Sequence, residues 1–297
     1  MIRLLAPGKV YVDYGPVQMT ISAEQHGKFL TKEVEQAGSL VPEILKSLAG
    51  VLPLAKQPWP KIREVDSLPK VLSLMTEAVS RTKEKNLTPM AAVAGTFADL
   101  IADFLMSRRA TKVIVNNGGD IAIRLKERET AEIGIAPRVG ARTLTHYLSL
   151  KPQNEVGGVA TSGFGGRSFT LGIADAVVVA AKSSALADAC ATLVANYTNV
   201  EVPSIERCLA REIDPNTDIP DLMVTVKVGP LQERAVQEAI ARGLARAKEL
   251  IKAKLIYGSI IFVAGTFEMW PEGFAKQMRD RQEAKHLHSS VPADSAV

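Results

Sequence analysis

Three short stretches of this chain combine glycines, hydroxyls, carboxylates and an arginine at spacings that could hold an anion or a cation. The first is Asn116-Asn-Gly-Gly-Asp120. Paired glycines allow positive φ and let backbone N–H groups come close to a ligand with no side chain in the way. The same Asn-Gly pair is also a hairpin-turn signal, so a plain turn competes with the ligand reading. The second is Thr161-Ser-Gly-Phe-Gly-Gly-Arg-Ser168, a run of glycines and hydroxyls with one arginine. Such a loop can form a nest of N–H groups for a phosphate or carboxylate, and Arg167 could add a bidentate contact. It lacks the Gly-Lys-Ser/Thr ending of a P-loop and the GxGxxG spacing, and a flexible loop is the competing account. The third is Asp188-Ala-Cys-Ala-Thr192. Residues four apart meet on one helical face, so Asp188 and Thr192 could share a hard cation such as Mg²⁺. Alternatively, Asp188 is a paired polar group inside the fold.

The elements around these stretches must position them. A buried strand, Val113-Ile-Val-Asn116, leads into the first, and Ile121-Ala-Ile-Arg-Leu125 follows it. A short strand, Gly158-Val-Ala160, delivers the second. The Val-rich strand from Ala176 to Ala180 precedes the third, whose helix is predicted from an N-cap at Ser183 to near Asn196. Between Met90 and Met106 lies a helix of small residues, among them Ala94, Gly95, Ala98 and Ala102, which suits close approach to another helix or to a ligand. Elsewhere the periodicity predicts strands on either side of Tyr14-Gly-Pro16, helices over 33–52, 68–81 and 231–252, and strands at Ile133, Leu148, 223–228 and 255–263. Pro53, Pro58 and Pro60 mark a connector, and Asp214 to Pro220 a loop. From Gly273 the chain turns polar; residues 273–297 are expected to be a flexible tail, and its His286 and His288 are not expected to bind metal.

Composition bounds the function classes. The 297 residues are 46% hydrophobic and 23% charged, the makeup of a globular chain with a sizeable core. A net charge of +4 gives a pI near 9.0, but the basic residues are interspersed with acidic ones and aromatics are only 5%, so no nucleic-acid partner is expected. Cys190 and Cys208 are the two cysteines, with no CxxC or Cys/His grouping to suggest a disulfide framework or a zinc site. No leader or membrane-spanning run stands out, so a cytoplasmic protein without membrane contact is expected. The expected partners are a small phosphorylated ligand and, if any protein, further copies of this chain.

In order, a small-residue helix, Asn-x-Gly-Gly-Asp, Ala160-Thr-Ser-Gly163 and a helix bearing Asp-x-x-Ala-Thr resemble the ApbE superfamily from about Met90 to Asn196. The resemblance implies a single α/β domain in the α+β sense over 1–272, with a mixed sheet and packed helices in an ApbE-like, T-fold-like arrangement. Members of that family take FAD, retain Mg²⁺ at the diphosphate and transfer FMN to a threonine of a target protein. By resemblance, Asn116, Gly118, Gly119, Asp120, Thr161, Ser162, Gly163 and Arg167 are the cofactor-binding candidates. The two glycine-bearing loops are expected to line one cavity. Asp188, Ala191 and Thr192 fall on the positions that hold Mg²⁺. The chain also departs from the family: Ala94-Gly-Thr-Phe97 stands where the family has Ala-Lys-Gly-Tyr, and 169–176 lacks the His-Ile-Ile-Asp-Pro segment. The expectation is therefore a divergent branch that binds FAD or a related phosphorylated ligand with Mg²⁺, with FMN transfer as the family's activity. The alternative is a catalytically inactive flavin- or anion-binding protein, or an assembly protein.

Overall fold

In the computed structural model, which describes residues 1–63 and 67–278, alternation of buried and exposed positions builds the first strands. These are β1 (Ile2–Ala6), β2 (Lys9–Tyr14), β3 (Val17–Gln25) and the short β4 (Lys28–Phe29). β3 buries Val17, Met19, Ile21 and Ala23 on one face, the period-two signature of a half-covered sheet. The helix expected over 33–52 is three pieces: α1 (Thr31–Ser39), α2 (Val41–Ala49) and α3 (Leu52–Ala55). Pro42 and Pro53 each fall in the first turn of the piece they begin. Proline has no N–H to continue a preceding helix but fits a first turn, which explains the breaks. Then come α4 (Lys70–Arg81), a 3₁₀ turn at Pro89–Ala92 and α5 (Val93–Ser107).

The central strands are β5 (Lys112–Asn117), β6 (Asp120–Leu125), β7 (Ala131–Ile135), β8 (His146–Leu150), β9 (Gly158–Ser162) and β10 (Ala176–Ala181). After them run α6 (Ser184–Tyr197), β11 (Ile205–Leu209), α7 (Ala210–Ile213), β12 (Met223–Val228), α8 (Glu233–Lys252), β13 (Ile256–Val263), β14 (Thr266–Trp270) and β15 (Lys276–Gln277). Among the described residues the main sheet runs β1-β2-β3-β5-β6-β9-β10-β13-β14, with β4 on β3; β11-β12 and β15-β8-β7 form two smaller sheets. Where a mixed sheet was expected, every strand pairing among the described residues is antiparallel. The physical reason is connectivity. Tight turns join β2 to β3, β5 to β6 and β13 to β14, and a two-residue turn can only link antiparallel neighbours.

Helices cover one face of the main sheet and the small β15-β8-β7 sheet covers part of the other, giving three layers. One core holds Met19, Ile21, Val113 and Val177 from the sheet against Phe97, Leu105, Leu186, Leu193 and Ile240 from the helices. The other joins Ile123, Val178, Ile260 and Phe262 to Ile133 and Leu148. β10, with both faces covered, is buried at all its positions, hence the continuous apolar run. Val10, Val34 and Leu48 share their core with Val236 and Leu250, so the two ends of the chain build a single α+β unit.

Two further expectations meet a different outcome. Residues 276–277, placed in the tail by composition, pair with β8 through Lys276↔Tyr147 and Gln277↔His146. Backbone pairing to an open strand edge leaves no mark in side-chain composition. The rest of that stretch, 279–297 with His286 and His288, lies outside the described residues. Secondly, Pro89–Ser107 is long and apolar enough, at 19 residues, to cross a membrane by length and composition. Here the helix packs on α6, β5 and β6 as a core element, and it carries the buried Asp99.

Candidate functional site

The antiparallel register brings the motif loops to one end of the sheet. Met19 at the start of β3 pairs with Asn117 at the end of β5, and Asn117 pairs across the turn with Asp120. β6 pairs with β9 at Ile121↔Val159, the end of β9 with the start of β10 at Ser162↔Val177, and β10 with the end of β13 at Ala176↔Phe262. The turns at Gly15-Pro16 and Gly118-Gly119, the loop from Gly163 to Asp175 and the turn at Ala264-Gly265 therefore all lie at that end.

Within it, the first two motifs touch. Gly118 has φ +68°, and a Cβ built there would stand 2.2 Å from Nη2 of Arg167. The guanidinium thus lies across the glycine backbone, and its Nη1 donates to the Pro16 carbonyl at 3.1 Å. Gly119, with φ +107°, faces Thr161, whose Cβ would be 3.8 Å from an added Cβ. The Asn116 side chain accepts the Gly119 N–H at 2.9 Å and holds the turn in place. Asp120, 9% exposed, accepts the backbone N–H of Thr161. Gly163 is packed against backbone, since a Cβ would meet the carbonyls of Ala174 and Asp175 at 2.9 Å. Ser162 is half-buried beside Val177 on β10. The cavity of about 580 Å³ at this end of the sheet is lined by none of these residues; its wall takes in Phe164 and Gly165 of the same loop and Asp175.

The third motif reaches the same place through a pair of helices. The carboxylate of Asp188, in the second turn of α6, accepts the N–H of Gly95 at 3.0 Å and also that of Ala94, in the first turn of α5. In return Asp99, in the second turn of α5, accepts the N–H groups of Ser184 and Ala185 at 3.1 and 2.8 Å, in the first turn of α6. Each helix thus caps the other's exposed N–H groups with a carboxylate, where the helix dipole favours negative charge. Close approach requires Gly95, because a Cβ there would stand 2.3 Å from the Ser184 carbonyl oxygen. Ser183 caps α6 as expected, its hydroxyl accepting the Leu186 N–H at 3.3 Å. Arg124 on β6 neutralises Asp99 at 3.0 Å and reaches Asp103 at 2.8 Å.

Among the described residues neither Asp120 nor Asp188 forms an ion pair of this kind, although the charge of Arg167 acts on Asp120. Burial pushes the Asp120 carboxyl well above the usual carboxylate range, and the charge of Asp188 raises it further, against the opposing pull of Arg167 and the Thr161 N–H. Burial also raises Asp188, to about 7, with Asp99 adding to the rise and the Gly95 and Ala94 N–H groups opposing it. Asp188 is crowded by protein atoms, yet part of its surface remains open to solvent. Oδ1 of Asp120 has no partner among the described residues, nor has Oδ1 of the neighbouring Asn117, whose Nδ2 donates to the Ala94 carbonyl. The charge of Asp188 thus disfavours ionisation of Asp120, and a cation bound beside both would offset that repulsion. Among the described residues no group of three or more His, Cys, Asp or Glu could hold a metal ion. A hard cation at this place would have to draw on the Asp120 and Asp188 oxygens, the Asn117 amide oxygen and oxygens of a ligand. That donor set suits Mg²⁺, which keeps several waters and binds through one or two carboxylates and substrate phosphates. Thr192 is half-buried one turn beyond Asp188, while Ala191 is fully buried in the helical core.

Asp120 and Asp188 were singled out by the sequence motifs and lie at this end of the sheet, whereas Asp99, Asn117 and Arg124, which the structure places beside them, were not. Asn117 was within the quoted motif. Asp99 had one signal, a charged residue amid the small side chains of α5.

Comparison with known proteins identifies the family. The chain is 34% identical over 158 residues to a UPF0280 protein of Methanosphaera stadtmanae, covering 53% of this chain and 58% of that protein. It is 31% identical over 170 residues to a UPF0280 protein of Methanopyrus kandleri, covering 56% and 66%. It thus spans about three fifths to two thirds of these relatives. Among solved structures, the ApbE protein of Thermotoga maritima aligns over 88% of this chain and 96% of its own, at 14% identity and a TM-score of 0.47. The flavin transferase ApbE of Vibrio cholerae aligns over 90% and 97%, at 14% identity and a TM-score of 0.44. The family described as AbpE bacteria matches residues 2–269, nearly the whole of the folded unit built around these carboxylates and glycine loops, and the chain belongs to that family.

Proposed function

We propose that this protein binds FAD or a related phosphorylated ligand together with Mg²⁺ at the end of the sheet where Gly118, Gly119, Asp120, Thr161, Arg167 and Asp188 meet. The observation that carries this reading is the Asp120–Asp188 pair, two deep-set carboxylates with no ion-paired cation among the described residues, set beside an arginine and a glycine turn. Unpaired charge of this kind is costly to bury, and a divalent cation bridging to a phosphate would offset the cost. Arg167 and the positive-φ glycines offer donors to phosphate oxygens. When bound, Mg²⁺ would neutralise charge on a diphosphate, the main requirement of phosphoryl transfer. The chain's own residues would position the ligand.

One observation favours binding without turnover as a second reading. The interval that carries a histidine in the transferases is used here for structure. Leu171 N–H donates to the Asn196 side chain at 3.0 Å, and Ile173 and Ala174 N–H both donate to the Thr198 hydroxyl at 3.1 Å. These bonds tie the loop to the end of α6, and the stretch 169–174 has no titratable side chain.

Calorimetric titration of FAD and of ADP, with Mg²⁺ and with EDTA, tests the binding. Mg²⁺-dependent affinity is expected, reduced about ten- to a hundred-fold in Asp188→Ala, the scale of one charge-assisted contact. Equal binding by wild type and variant, with a lower melting temperature for the variant, would make Asp188 a structural residue only. Release of AMP from FAD in the presence of Mg²⁺ separates a transferase from a binding protein.

A further inference from the structure

Close to the β13–β14 turn, the small β15-β8-β7 sheet buries an imidazole against the main sheet. His146, the first residue of β8, is 2% exposed. Its ring stands T-shaped to Phe262 of β13 and to Phe267 of β14, at centroid distances of 5.5 and 4.6 Å. Nδ1 shares a hydrogen bond with the Thr145 hydroxyl at 2.9 Å, and the buried Nε2 has no partner among the described residues. Within its sheet His146 pairs with Ile135 of β7 on one side and Gln277 of β15 on the other. We propose that His146 is a proton-operated catch: when mild acid protonates its ring, the β15-β8-β7 sheet parts from the main sheet and β15 leaves β8.

The neutral ring suits this place and the cation does not. Neutral imidazole uses Nδ1 with Thr145 and leaves one unmet polar atom. A proton taken from solvent makes both nitrogens donors, adds a full charge and leaves the Nε2 N–H without an acceptor. No carboxylate on the elements packed around the ring offsets that charge. Glu132 on β7, Glu268 on β14 and Lys276 on β15 are exposed, as are Arg138 and Arg142 between β7 and β8. Tyr257, the ionisable group of β13, lies at its far end, and Asp175 is engaged by the Ala264 N–H and Arg138. Phenyl faces attract a cation, but less than water hydrates it. Burial accordingly lowers the His146 pKa from its ordinary 6.5.

The opening is local because β15 is lightly held. Two residue pairs and the Met278 N–H bond to the Thr145 carbonyl at 2.9 Å join it to β8. The small sheet also packs in its own core, apart from the helix-side core. With the ring neutral in the closed sheet and free to protonate near 6.5 in the open one, the catch holds above that pH. Each pH unit below it favours opening by up to about ten-fold, until the closed ring protonates as well. Opening frees the 136–145 connection, whose Val139 N–H donates to the Asp175 carbonyl at the motif-loop end of the main sheet. Access to that end thereby depends on pH, whatever ligand binds there.

Hydrogen exchange of the full chain, followed by mass spectrometry from pH 7.5 to 5 and corrected for the intrinsic pH dependence of exchange, tests the catch. Protection of 146–150 and 276–278 should fall about five-fold or more between pH 6.5 and 5, while α6 keeps its protection. His146→Leu fills the apolar slot without titrating and should hold both segments constant over this range. A wild-type measurement guards against a variant that fails to fold. The imidazole C–H resonance of His146, assigned through its contacts with Phe262 and Phe267, should titrate with a midpoint below 6.5. The proposal is overturned if protection of 146–150 is unchanged down to pH 5, or if α6 loses protection in parallel. It is equally overturned if His146→Leu shows the wild-type fall, or if the His146 midpoint lies at or above 6.5.

Discussion

Replacing Asp188 by Asn separates the electrostatic cost of the carboxylate pair from its hydrogen bonds. Asparagine keeps an oxygen for the Gly95 and Ala94 N–H groups and cannot ionise, so it imitates the protonated acid. The Asp188 carboxyl stands at about 7 in the folded protein against 3.8 as its ordinary value. A raised acid means that the folded state holds a proton that the unfolded chain has released. Stability is therefore complete below about pH 4 and falls as the pH rises toward 7, where the folded state too must ionise. The slope is about 1.4 kcal/mol per pH unit, so the window from pH 5 to 7 spans about 3 kcal/mol. The solvent-open part of Asp188 makes this an upper bound. For a domain of this size it corresponds to a shift on the order of 6–10 °C in melting temperature. Thermal denaturation of both proteins in EDTA, followed by circular dichroism at pH 5, 6, 7 and 8, reads the difference directly. Asp188→Asn should melt modestly above wild type at pH 5 and progressively further above it toward pH 7, with no further gain at pH 8. A constant gap across this range, or a variant less stable at pH 8 than at pH 5 by as much as wild type, would refute the raised carboxyl of Asp188. Added Mg²⁺ should close the gap from the wild-type side.

Three further outcomes follow from single contacts. Arg124→Met strands the Asp99 charge inside the fold and should cost about 3–5 kcal/mol by denaturant titration, with Asp99→Asn in the same chain restoring much of it. Gly118→Ala places a Cβ 2.2 Å from the Arg167 guanidinium at φ +68°, so Arg167 must leave its position; ADP affinity measured by calorimetry should fall about ten-fold, with a melting temperature lowered by only a few degrees. Ser183→Ala removes the hydroxyl that accepts the Leu186 N–H and should lower stability by about 1 kcal/mol in urea titration, while Ser183→Asp leaves it near wild type.

Much of this architecture is local and was readable as such. The Gly118-Gly119 turn, the Ser183 cap and the buried run of β10 each follow from the preferences of a few adjacent residues, and the α+β class from their sequence along the chain. The site is only partly local. Asp99 lies 85 positions before Ser184 and 86 before Ala185, and no periodicity or spacing announces that one will cap the other. The antiparallel order of the central strands, with β9 beside β6 rather than beside β8, likewise depends on packing between distant segments.

That reciprocal capping has a consequence for where a phosphate can bind. The start of α5 points its N–H groups toward the carboxylate pair, and a free helix start of this kind would attract an anion. Here at least two of those groups, on Ala94 and Gly95, are already held by Asp188, so a phosphate there would meet a carboxylate before it met a donor. The start of α6 is closed in the same way, by Asp99. Donors for an anion must then come from the other side of the pair, where Arg167 lies across Gly118 and Gly119 faces Thr161. A cation between the two sides would turn the carboxylates from a barrier into ligands. On this geometry phosphate affinity without a divalent ion should be low, and the glycine turn and arginine contribute to it only when the charge of Asp120 and Asp188 is neutralised.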